Sequence, residues 1–255
     1  PPLLHNQKTS IMNNNLLLLC CTLLFVTSAY TQGIQEQYYQ AYLENDLPAW
    51  DNAIAQLSRG YEQSNDSELL LQIAKGAYGA IGSCFALQDM EKAADYADQA
   101  EEYTLLYLEE EENCPEGKAL LAGIYGMKIG LKPIRGMMLG PKSGRLLREA
   151  TKIDDDCALA YYHMGTSAYN TPATWGGSIE NAATYLAQAK ERYQKTELEH
   201  NWMYLNTLVW LGMSHHKLGQ YDQAEEVFEL ALEQEPNFGW VKYKLLPATQ
   251  EAQSN

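Results

Sequence analysis

Residues 208–236 read LVWLGMSHHKLGQYDQAEEVFELALEQEP. Apolar and small side chains recur at steps of three and four, stop at Gly219-Gln220, then resume as far as Pro236. That pattern predicts two amphipathic helices joined by a tight turn. Gly212 lets the first helix approach the second, Ala224 and Ala231 do the same from the other side, and Phe228 fills the space between.

The order Leu211-Gly212, Leu218-Gly219, Tyr221, Ala224, Phe228, Ala231, Pro236 resembles a tetratricopeptide repeat, a helix-turn-helix unit of about 34 residues that stacks into a solenoid. The resemblance is clearest over 205–238. It extends more loosely to Ala158–Ala189, where Met164-Gly165 takes the place of Leu211-Gly212, and to Ala74–Ala100, where Ala93, Ala97 and Ala100 follow the same spacing. It implies an all-α protein, a right-handed α-solenoid of four to five helical hairpins closed by a capping helix. The stripe Phe238, Trp240, Val241, Leu245, Leu246, ending at Pro247, is the expected cap.

Composition agrees with such a core. The chain has 255 residues, 46% of them hydrophobic, and a net charge of -15. A balance this acidic argues against nucleic acid as a partner and against binding to an anionic membrane surface. Residues 1–31 stand apart from the helical pattern. Leu16–Val26 is an apolar run of 11 residues before a small and polar flank, the form of a secretory signal peptide spanning Met12–Thr31. The run is too short to span a bilayer, so no membrane insertion is expected of the mature chain. The expectation is an exported protein, periplasmic or at the cell surface, with one helical domain at 32–255.

Going along that domain, Asp46 is an N-cap with Pro48 in the first turn. Gly126, Gly130, Gly136, Gly140 and Gly144 fall at four- and six-residue steps and predict close helix packing, with Pro133 and Pro141 bounding an irregular connection. Asp154-Asp155-Asp156 predicts a turn and an N-cap for the helix at Ala158. A linking helix is expected over Glu197–Asn206. Cys84, Cys114 and Cys157 are read as buried or half-buried small apolar residues rather than ligands.

No catalytic or metal-binding pattern emerges. HExxH and G-x-S-x-G are absent, and His215 and His216 diverge by about 100° on one helix. His215 is placed on the packed side. No cofactor and no catalytic role is assigned.

A binding site is instead implied by the family, whose first helix in each pair lines a concave groove. Registered on Gly165 and Gly212, the groove-facing residues are Tyr162, Thr166 and Tyr169, then Asn206, Met213 and His216, with Tyr78 and Phe85 from the earlier unit. Aromatic and Met side chains on a concave surface suit a peptide or a small apolar ligand, and the family resemblance implies a protein or peptide partner held there. The competing role for the tyrosines and Phe85 is packing against the next repeat. The loop Asn170–Ser178, Pro-x-x-Trp-Gly-Gly, resembles one in exported bacterial tetratricopeptide proteins and a related loop in the TRAP-transporter-associated periplasmic member. Trp175 there either pins the loop to the helices or touches a ligand. The alternatives to a scaffold are a transport accessory, which predicts an enclosed apolar pocket or a ring-like oligomer, and an enzyme, which predicts a cleft with paired ionisable groups of perturbed pKa.

Overall fold

The computed structural model describes residues 33–254; the expected signal segment at Met12–Thr31 lies outside them. Among the described residues the chain is helical with no strand. It is an all-α helical-repeat solenoid. In chain order the helices are α1 (33–44), α2 (Leu47–Ser64), α3 (Ser67–Leu87), α4 (Met90–Glu110), α5 (Pro115–Leu131), α6 (Gly136–Ile153), α7 (Ala158–Asn170), α8 (Ile179–Tyr193), α9 (Trp202–Lys217), α10 (Tyr221–Gln234) and α11 (Leu246–Ser254).

Local chemistry sets the helix starts. Asp46 accepts a hydrogen bond from the Ala49 amide at 3.0 Å, with Pro in the first turn, so α2 begins where the sequence predicts. Asp66, Asp89 and Asn201 cap α3, α4 and α9 in the same way. Each satisfies an amide that the helix itself cannot. Consecutive helices then pair as α3/α4, α5/α6, α7/α8 and α9/α10; the second helix of each pair packs on the first of the next, and the first helices α3, α5, α7 and α9 also touch in turn. In α9/α10, a Cβ at Gly212 would overlap the Phe228 ring, and one at Gly165 would overlap Leu186 in α7/α8. The small residue therefore sets the interhelical distance, and burying Phe228 there stabilises the hairpin by about 2–3 kcal/mol. Helix α3 is long and apolar enough to cross a membrane by composition, yet it is mostly buried at the centre of the solenoid.

Several local expectations need correction. Pro141 lies inside α6 rather than ending a helix; the break comes earlier, at Lys132, followed by the 3-10 turn Pro133–Arg135. Gly126, Gly130 and Gly140 meet nothing within 4 Å where a Cβ would stand, so they do not serve close packing. The aspartate run supplies no side-chain cap to α7. It binds back to α8 instead, through Arg192 to Asp155 and Lys195 to Asp156 at 2.6 Å. Residues 194–201 form turns, so the linking helix shortens to a start at Trp202. The C-terminal cap is longer than expected, running through the π turn Val241–Leu245 and past Pro247 to Ser254. Among the described residues Cys84, Cys114 and Cys157 form no disulfide; as expected, Cys84 and Cys157 are buried and Cys114 half-buried.

The arrangement has one consequence for any binding site. Helix α1 packs on α2 and α3, with Tyr38 against Trp50 at 5.0 Å and its hydroxyl donating to the Gln72 carbonyl. The same helix also reaches the far end of the solenoid. Tyr42 touches Trp202 at 5.5 Å and Phe238 at 5.7 Å, and the Tyr39 hydroxyl donates to Glu235. The inner face therefore closes on itself, the first helix against the α9/α10 repeat.

Candidate functional site

Trp202, at the first turn of α9, is the hub of that closure. Its ring lies 5.6 Å from Trp50, 5.5 Å from Tyr42 and 6.4 Å from Tyr78, joining helices about 150 residues apart in sequence. Trp50 is fully buried, and its indole N–H donates to Ser83 Oγ at 3.1 Å. A polar chain runs beside the rings. Tyr42 donates to Asn206 Oδ1 at 3.3 Å, and Asn206 Nδ2 donates to the Tyr162 hydroxyl at 2.8 Å. Burial holds the Tyr78 and Tyr162 phenols well above their ordinary pKa, and the bond from Asn206 partly offsets the shift at Tyr162.

These placements change the expected groove. Tyr78 and Tyr162 are 3% and 1% exposed, so they belong to the core and not to an open surface. The reason is the closure of the inner face, which brings α9 and α1 against the N-terminal halves of α3 and α7. Asn206 is half-buried with both amide atoms bonded. His216 is also half-buried: its Nδ1 pairs with Thr249 Oγ1 at 3.0 Å, so the terminal helix α11 lies over it. His215 is half-buried and pairs with Gln220 at the turn, rather than sitting in the core.

The C-terminal halves of the inner helices are different. Phe85, Thr166, Tyr169 and Met213 are half-buried. Tyr169 on α7 meets Trp210 on α9 edge to face at 5.1 Å, and the Lys217 ammonium stands 4.6 Å from the Tyr169 ring centre. Met213 lies one turn from both Trp210 and Lys217 on α9, and Thr166 one turn from Tyr169 on α7, so the five residues form one strip across two repeats. The strip offers an aromatic pair, a thioether and one cation. Trp210 and Lys217 were missing from the sequence-derived set, although the signal was present: they follow Asn206 and Met213 by four residues on the same helix face.

Trp175 does not pin its loop, being 73% exposed. The backbone holds the loop instead. The Ser178 amide donates to the Ala168 carbonyl at 3.0 Å and the Gly177 amide to Pro172 at 3.2 Å. Gly176 adopts φ +91°, and a Cβ at Gly177 would overlap Thr171 O, so both glycines are required by this turn.

At the seam between α1 and α9/α10 lies a cavity of about 240 Å³, bordered by Tyr39, His200, Tyr204 and Glu235. Its lining is largely polar. Among the described residues, no group of three or more His, Cys, Asp or Glu is placed to share a metal ion.

Comparison with known proteins agrees with the repeat geometry. The family model for the tetratricopeptide repeat matches residues 206–238, which are α9, its turn and α10. Such repeats mediate protein–protein interaction and are typically non-catalytic. No curated protein matches the chain. Among solved structures, BtubC (BKLC) from P. vanneervenii is similar at 18% identity over 83% of this chain and 87% of that one, with a TM-score of 0.39.

Proposed function

We propose that this tetratricopeptide-repeat protein is a non-catalytic scaffold that holds a peptide segment of a partner protein on the strip Thr166, Tyr169, Trp210, Met213 and Lys217. The observation that carries the reading is the half-buried Tyr169–Trp210 pair with Lys217 at its edge, left uncovered where the rest of the inner face is sealed. Rigid aromatic side chains give large contact area at low entropic cost, and their pairing with a cation suits a segment with an apolar side chain beside a carboxylate. The apolar run Leu16–Val26 supports a working place in the bacterial cell envelope.

The test is affinity capture from envelope extract of the source cell, with the full chain as bait. Wild type is compared with Tyr169→Ala/Trp210→Ala, after circular dichroism has established that both are folded. A single envelope protein should be enriched by wild type and reduced roughly tenfold or more by the double variant, the loss expected for removing two aromatic anchors. Equal enrichment by both baits would remove the strip as the site.

A further inference from the structure

The α5/α6 connection carries an exposed feature that the scaffold reading does not use. The 3-10 turn Pro133–Arg135 runs directly into α6, and Ile134, Met137, Met138 and Pro141 fall at steps of three, four and seven on one face. All four are exposed: Ile134 is 80%, Met137 71% and Met138 70% accessible. No other described helix covers them, while the opposite face of α6 is tied to α5 by Ser143, whose hydroxyl donates to the Ala122 carbonyl at 2.9 Å.

Charge reverses at the same place. Residues 132–152 hold six of the chain's 18 Lys and Arg and one acid, Glu149, in a chain of net charge -15. Glu149 is already shared by Lys118 and Arg145. Lys132, Arg135 and Lys142, which flank the apolar stripe, make no ion pair among the described residues. A strongly acidic protein thus presents one cationic, apolar-tipped end.

We infer that this tip is a docking surface for an anionic lipid bilayer. A bilayer interface offers hydrocarbon beneath a layer of phosphate, so Ile134, Met137 and Met138 can enter while Lys132, Arg135 and Lys142 stay at the headgroups. An acidic protein face would match the cations and leave the apolar side chains in water. The stripe is far too short to span a membrane, so the contact is peripheral. The acidic remainder of the chain is repelled by the same surface, which fixes the tip downward and the rest away from it.

The experiment is co-sedimentation of the full chain with phosphatidylcholine vesicles and with phosphatidylcholine/phosphatidylglycerol vesicles. The readout is the excess on the anionic vesicles, because any binding by Leu16–Val26 adds to both. Wild type should partition at least tenfold more to the anionic vesicles, since each basic residue near such a surface contributes about fivefold. Lys132→Glu/Arg135→Glu/Lys142→Glu should abolish the excess, and Ile134→Ser/Met137→Ser/Met138→Ser should lower it about tenfold. Both sets of side chains are solvent-facing or half-buried, and unchanged melting curves verify the fold. No excess for wild type, or an excess that survives charge reversal, overturns the inference. If instead the variants abolish a dimer seen by sedimentation and no vesicle excess exists, the occupant is a second copy and the lipid assignment is wrong.

Discussion

Trp202→Ala should lower the unfolding free energy by about 3–5 kcal/mol, the usual cost of removing a buried Trp side chain. Trp202 is 8% exposed, and its ring contacts Tyr42, Trp50 and Tyr78. Its loss leaves a cavity that the rigid backbones of α1, α3 and α9 cannot close. The effect goes beyond packing area. In an open solenoid each repeat touches only its neighbours, and a local truncation weakens one interface. Here the same side chain joins α1, α2 and α3 to α9, so the substitution also uncouples the first repeats from the α9/α10 repeat. Urea denaturation followed by circular dichroism measures the change. Trp240→Ala is the control, since that ring is 44% exposed and its removal should cost less than about 1 kcal/mol. Equal effects for the two substitutions would show that Trp202 is no hub.

Acidification should destabilise the protein through His163. The imidazole is buried between Tyr78 at 5.4 Å and Tyr162 at 4.9 Å, and its Nε2 has no hydrogen-bond partner. Burial pushes its pKa down from 6.5 to about 3. Between those values the unfolded chain binds a proton that the native state does not. The stability due to neutral His163 is therefore fully present above pH 6.5 and is lost as pH falls toward 3. The slope is about 1.4 kcal/mol per pH unit. From pH 6.5 to pH 5, wild type should lose about 2 kcal/mol more than His163→Gln, which has no such titration. Denaturant titrations of both proteins at several pH values give the difference. A difference that stays constant across the window would mean that His163 can take its proton in the folded state.

The repeat at 205–238 was legible because its spacing is dictated locally. Gly212 and Phe228 must face each other for two helices to pack at that distance, and the structure places them so. The caps at Asp46 and the apolar cap around Phe238 and Val241 were legible for the same reason. The seal over Tyr78 and Tyr162 was not. Helical registry assigns a residue to the inner face, and both tyrosines are indeed there. Whether that face is open depends on how far the repeats curve, a sum over many interfaces that no single residue encodes. The aspartates at 154–156 misled in a related way: a run of acids before a helix resembles a cap, while their partners, Arg192 and Lys195, lie about 40 residues downstream. The glycines at 126, 130 and 140 have packing-motif spacing but no neighbour to pack against.

Amide hydrogen exchange of the full chain, resolved by mass spectrometry into 33–44 and 202–217, tests the closed inner face most directly. If α1 completes the core, its amides exchange only when the core opens, and the slowest of them should match those of α9 within about tenfold in rate. Protection that vanishes in α1 while α9 stays protected would contradict the account. The inner face would then be open in solution, and Tyr78 and Tyr162 would return as groove residues.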